Sequence, residues 1–108
     1  MLAKKERLDR KAFDRFFVSG KRFHTANFQL IYTAQPAFHG SVVVGKKVFK
    51  SAVRRNRLRR RVYAVLYRLK DAPTPAGVFI IIAKPAAGTL IQAKIAPEIE
   101  QLILQVRY

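Results

Sequence analysis

From residue 9 onward the apolar positions recur at helical spacing. Phe13, Phe16 and Phe17 stand at i, i+3 and i+4, so they share one side of a helix. Asp9 suits the cap of that helix and Gly20 the C′ position after Ser19. Leu8 and Phe13 occupy the two staple positions, and Phe16 is read as core. The rhythm then shortens to two. Phe28, Leu30 and Tyr32 alternate with Gln29, Ile31 and Thr33, which predicts a strand that ends before Pro36. Residues 41–45 predict a second strand, and residues 21–25 a short edge strand. The longest helical signal runs from Ser51 to about Lys70, closed by Pro73 and Pro75. Residues 78–83 form an unbroken apolar run, expected of a strand buried on both faces. After the breaks at Pro85 and Gly88, a last helix is expected from about Pro97 at its N1 position, with Ile99, Leu102, Ile103 and Val106 as its stripe. Residues 89–96 are expected to hold an extra turn. Three helices and about four strands in one order predict a single α+β domain over residues 1–108, with residues 1–8 flexible.

The long helix carries two patterns at once. At 100° per residue, Leu58, Val62, Val65, Leu66 and Leu69 form one apolar stripe. Arg57, Arg60 and Arg68 lie on the far side, flanked by Asn56, Arg61 and Tyr67, with the small Ala64 between them. Arg55 and Arg59 fall nearer the stripe and are expected to snorkel along its border. One face is therefore built to dock on a sheet while the rest presents guanidinium groups. A planar guanidinium donates two parallel hydrogen bonds to a phosphate.

Charge sharpens that picture. The 108 residues carry 22 Lys plus Arg against 6 Asp plus Glu, a formal net of +16. Such a chain repels itself, and a polyanion relieves the repulsion by releasing counterions. Nine of the cations fall between residues 46 and 61, more than solubility requires. The absence of cysteine excludes disulfides and thiolate metal sites and fits a reducing, cytoplasmic setting. No apolar stretch follows the charged N-terminus, and none approaches the ~20 residues that span a bilayer, so neither a signal peptide nor a membrane role is expected. The six carboxylates, Glu6, Asp9, Asp14, Asp71, Glu98 and Glu100, form no close pair in sequence, and His24 and His39 are isolated. No catalytic residue and no metal ligand is assigned to the chain itself.

One segment resembles a known family. Ala52-Val53, then Arg55-Asn56-Arg57, the aliphatic Leu58 and Arg59-Arg60 look like the AV-x-RNR-x-KR signature of bacterial ribonuclease P proteins. Lys46-Lys47 stand where that family carries paired lysines. Arg7-Leu8, Phe13, Phe17 and Gly20 match its N-terminal pattern, and residues 78–85 resemble its apolar strand ending in a basic residue and proline. The resemblance covers nearly the whole chain in one order.

It implies a compact α/β sandwich with a mixed sheet, the arginine helix lying in a left-handed βαβ crossover. Patterning alone would favour the right hand. It also implies that catalysis belongs to an RNA subunit. The protein would bind that RNA, hold the single-stranded 5′ leader of precursor tRNA in a cleft, and aid binding of Mg²⁺, mainly through the RNA. By resemblance, Lys46, Lys47, Arg55, Asn56, Arg57, Arg59 and Arg60 face RNA, and Phe13 and Phe17 face the leader. Arg54, Arg61 and Arg68 are counted with the RNA-facing set. No protein partner is expected.

Two departures stand out. Tyr63 and Tyr67 occupy positions where the family often has arginine. The family's cleft aromatic aligns with Ile31, while Tyr32 points to the opposite side of the strand and is not assigned to the leader. Two other readings of the basic helix are a ribosomal or ribosome-assembly protein, which needs no leader cleft, and a DNA-binding regulator, which predicts base-specific duplex binding.

Overall fold

The computed structural model describes residues 7–69 and 76–107. Expectations for residues 1–6, and for Lys70, Pro73 and Pro75 at the end of the long helix, lie outside the described residues.

Helix α1 (Arg10–Ser19) opens at Asp9, whose carboxylate accepts a hydrogen bond from the Ala12 amide at 2.8 Å. That satisfies one of the orphan donors of the first turn. The helix stops at Gly20, for a reason other than the one expected. Gly20 is extended (φ −71°, ψ 156°), not left-handed. A Cβ there would meet the Ile31 side chain at 2.4 Å and the Phe16 carbonyl at 2.8 Å. Glycine lets the chain turn from helix to strand while pressed against the sheet.

Strands β1 (Lys21–His24), β2 (Phe28–Ala34), β3 (His39–Val43) and β4 (Gly77–Ala83) form one sheet in the order β1-β2-β4-β3. β1 runs antiparallel to β2, and β2 antiparallel to β4. β3 runs parallel to β4, and helix α2 (Ala52–Leu69) lies in the connection between them. The sheet is therefore mixed, as the resemblance implied. β3 begins at His39, two residues before the expected start, and Gly45 is not in it. His39 and Gly40 pair with Val78 and Phe79, so the segment read as a turn supplies the first rungs of the parallel ladder.

The central strand β4 explains the unbroken apolar run. Ile80 and Ile81 are both fully enclosed, on opposite faces. On one face, Phe28, Leu30, Val42, Phe79 and Ile81 pack under Leu58, Val62, Val65 and Leu66 of α2 and under Ile95, Ile99, Leu102 and Ile103 of helix α3 (Ile95–Leu104). On the other, Ile31, Val78 and Ile80 are covered by Phe16 of α1, with Leu8, Ala12 and Phe13 beside it. Removing most of a side chain such as Ile81 from a sealed layer costs about 2–5 kcal/mol.

Helix α3 starts at Ile95, not Pro97. Pro97 is its third residue, still within the turn whose N–H groups have no helical partner, so proline is tolerated there. The extra turn expected in residues 89–96 is a short 3-10 helix, Gln92–Lys94, preceded by another at Pro85–Thr89.

Candidate RNA interface

The connection into α2 is held by its own side chains. Ser51 caps the helix, its hydroxyl accepting from the Arg54 amide at 3.3 Å. Arg55 turns back from the helix and donates to the Phe49 and Lys50 carbonyls at 3.0 and 2.7 Å. Arg54 lies over the Phe49 ring, 4.3 Å from its centroid. Further along, the Tyr63 hydroxyl accepts from the Val42 amide at 3.2 Å and fastens α2 to β3. Arg55 and Arg59 are both half-buried, as expected of residues bordering the stripe, and Arg59 donates to the Asn56 carboxamide oxygen.

The remaining guanidinium groups divide into two tracks. Arg54, Arg57 and Arg61 line a hollow of about 160 Å³ against the turn at Gly88. Arg61 and Arg68 line the next, of about 220 Å³, against Gln92 and Ala96. Shared Arg61 makes these one trough along α2. Gly88 lets the turn close in, because a Cβ there would meet the Val48 carbonyl at 2.8 Å. On the other side of α2, Asn56, Arg59, Arg60 and Tyr63 join Arg7 around a hollow of about 300 Å³. No described carboxylate lines either track. The ion pair among the described residues is Arg10 with Asp14, on α1. Among the described residues, no carboxylate compensates the charge of these arginines, the arrangement that binds a phosphate backbone.

Lys46 and Lys47 are exposed in the loop just beyond β3. Near them the sheet face under α1 is only partly covered. Gln29, Ile82 and Val43 are cross-strand neighbours on that face, and all three are half-buried. Phe13 and Ile82 each pack against the buried cluster under α1, while Phe17 stays 36% exposed. The two rings stack, centroids 5.7 Å apart and planes 26° from parallel. Arg22 of β1 lies over the Phe17 ring at 5.0 Å and donates to the Phe17 carbonyl at 3.0 Å. Exposed aromatic faces beside cations are the usual furniture of single-strand binding.

Neither Ile31 nor the adjacent Tyr32 offers an open ring to this face. Ile31 is 1% exposed, sealed beneath α1. Tyr32 lies on the opposite side, its ring 5.0 Å from Phe79 and its hydroxyl donating to the Ala76 carbonyl at 2.5 Å. Burial raises the pKa of that phenol above its ordinary value.

A carboxylate that sequence reasoning left unassigned anchors the β1–β2 turn. Glu98 accepts from the Thr25 hydroxyl at 2.6 Å, the Asn27 amide at 2.8 Å and the Asn27 carboxamide at 2.7 Å. Lys84 donates to the Thr25 carbonyl at 2.7 Å. Burial pushes the Glu98 pKa up, but the bonds from Thr25 and Asn27 and the charge of Lys84 outweigh it, and the carboxyl sits below its ordinary range. The partners are some seventy residues apart, and no local pattern announces them. Arg22 was missed for a similar reason, since only the fold brings it over Phe17.

Among the described residues no three His, Asp or Glu converge as a donor set for a metal ion. Nor is any helix among them long and apolar enough to cross a membrane.

A basic helix docked on a mixed sheet, with a half-open sheet face beside it, defines an α/β sandwich of the nucleic-acid-binding kind. The family model for Ribonuclease P matches residues 2–107. A ribonuclease P protein component from Synechococcus sp. (strain JA-2-3B'a(2-13)) is 33% identical over 101 residues, covering 88% of this chain and 76% of that one. Among solved structures, a mutant RNase P protein of Staphylococcus aureus superposes with a TM-score of 0.86 at 23% identity, over 96% of this chain and 90% of that one. The RNase P protein of Thermotoga maritima gives a TM-score of 0.81 at 21% identity, over 93% and 96%. The chain belongs to the bacterial ribonuclease P protein family.

Proposed function

We propose that this chain is the RNA-binding protein subunit of ribonuclease P, the ribonucleoprotein endonuclease that removes the 5′ leader from precursor tRNA. The observation that carries the reading is the pair of carboxylate-free arginine tracks on α2 beside a half-open sheet face with stacked Phe13 and Phe17. Family membership favours it over a ribosomal or assembly protein. The chemistry is assigned to the RNA subunit. The protein contributes phosphate neutralisation through Lys46, Lys47 and the α2 arginines, and stacking of leader bases at Phe17. Mg²⁺ acts mainly through the RNA. Protein cations that replace part of the counterion atmosphere let the folded RNA form with fewer added ions. The setting is cytoplasmic, where precursor tRNA is made.

Reconstitution tests this. With the RNA subunit of the same source, the protein is expected to yield mature 5′ ends at lower Mg²⁺ than RNA alone, and to cleave nothing by itself. Efficient 5′ processing by the RNA-free protein would contradict the proposal.

A further inference from the structure

On the side of α1 away from Phe17 lies another groove, of about 540 Å³, between the start of α1 and the turn joining β2 to β3. It is larger than the hollows along α2, and the arginine-helix motif does not point to it. Its apolar surface comes from Leu8, Ala12, Phe16 and Val78. Two cations, Arg7 and Arg15, stand at it. Arg15 lies over Phe16, its guanidinium carbon 4.7 Å from the ring centroid. Asp9, Gln35 and His39 supply the remaining polar groups. The His39 Nδ1 atom is enclosed with no hydrogen-bond partner, an unmet polar atom beside the groove.

This mixture differs from the arginine tracks on α2. A phosphate track needs charge alone. Here an apolar floor, two guanidinium groups of which one lies over a ring, and acceptors at the rim converge in one space of ligand size. That is the inventory for a nucleotide turned out of its helix: the base on an apolar and guanidinium surface, its edge N–H groups on carboxylate or carboxamide oxygens, its phosphate on arginine. Arg7 also continues the path. It bridges to Gly40 of β3 and lines both this groove and the Asn56–Arg59–Arg60 hollow. A strand whose phosphates lie on the α2 hollow is thereby led over Arg7 into the groove.

We infer that this groove binds one unpaired nucleotide of the RNA that crosses the Arg7 side of α2. The inference rests on the RNA-binding reading above. The nucleotide comes either from the RNA subunit or from the substrate leader, and the experiment separates the two.

The chain has no cysteine, so Ala37→Cys, in the exposed turn at the rim of the groove, gives a unique attachment point for a short photo-crosslinker. Val53→Cys, exposed beside Arg54, is the positive control, and Leu104→Cys, exposed at the end of α3, is the comparison site. Each is assembled with the RNA subunit alone, then with added precursor tRNA or mature tRNA. A crosslink from position 37 to one unpaired nucleotide of the RNA subunit in all three assemblies assigns the groove to that RNA. A crosslink to the substrate only when the leader is present assigns it to the leader. Filling the groove with Ala37→Trp and neutralising it with Arg15→Gln should each weaken binding of the assigned RNA by five-fold or more. The inference is overturned if position 37 gives no more crosslink than position 104, or crosslinks only paired nucleotides, while position 53 still crosslinks. Failure of positions 37 and 53 together, with no holoenzyme formed, would instead refute the RNA-binding reading itself. The crosslinking arm stands even if the tryptophan variant folds poorly.

Discussion

Replacing Phe17 by alanine tests the leader site most directly, because the two roles a phenylalanine plays here predict different numbers. A fully buried phenylalanine cut to alanine costs about 3–5 kcal/mol. Phe17 is 36% exposed, so it forfeits only part of that. Its stack on Phe13 and the cover from Arg22 are each worth roughly 0.5–1.5 kcal/mol. A total of about 1–3 kcal/mol lowers the melting temperature of a domain this size by roughly 4–24 °C and leaves it folded at room temperature. Stacking on a leader base is worth about 1–3 kcal/mol, which corresponds to a loss of roughly 5- to 150-fold in affinity. That loss should fall on one ligand only. The assay is equilibrium binding of holoenzyme to precursor tRNA and to mature tRNA at a single salt concentration. The expected result is a selective loss for the leader-bearing RNA, with mature tRNA within about two-fold of wild type. Equal losses for both RNAs would refute the reasoning, as would a protein that is unfolded at 25 °C. Either result would return Phe17 to a packing role.

Other outcomes follow from the same geometry. Arg57→Ala with Arg60→Ala removes one guanidinium from each track, so RNA-subunit affinity should fall and the log–log salt slope should drop by roughly 1.4–1.8, measured by titration at four salt concentrations. An unchanged slope in a folded double variant would show that neither contacts phosphate. Arg55→Ala should act differently, lowering the thermal midpoint of the free protein, because it strips the Phe49 and Lys50 carbonyls of their donor. Glu98 has a folded-state pKa below its unfolded value, so its contribution to stability is fully present above about pH 4.5 and is lost as pH falls through the folded-state value. Urea midpoints between pH 3 and 7 should therefore decline less steeply toward acid in Glu98→Gln than in wild type, and parallel profiles would refute the linkage.

How much of this was legible beforehand depended on whether the determining contacts were local. The α2 stripe from Leu58 to Leu69 and the capping by Asp9 are written within a few residues, and both stand in the structure. So does the double burial of residues 78–83, because a central strand has no polar face to show. The start of β3 was missed because His39 and Gly40 look like a turn in isolation. Only the neighbouring β4, forty residues on, makes them a strand. The start of α3 was placed two residues late because proline at N1 is the commoner choice and Ile95 gives no capping signal. For the site, residue types were readable but their division of labour was not. A run of arginines on a wheel has angles, yet which angle faces a turn, a strand or Arg7 is decided by distant segments.

That division changes how the RNR motif should be understood. Arg55, Asn56 and Arg57 are consecutive, but the fold gives them three different tasks. Arg55 is spent on the loop carbonyls at the head of the helix, Asn56 accepts from Arg59 on the Arg7 side, and Arg57 lines the trough on the Gly88 side. Consecutive residues on a helix point 100° apart, so a compact motif of this kind cannot meet one phosphate row. It must either grip two or use one member to hold the others in place. Arg55 does the holding. By fixing the loop that carries Phe49, it also fixes the ring on which Arg54 lies, and hence one wall of the trough. A substitution at Arg55 is therefore expected to disturb RNA binding through the position of its neighbours. A change to lysine should not rescue it, because both carbonyls accept from Nη1 of the planar guanidinium, one bond beyond the reach of an ammonium on its more flexible stem.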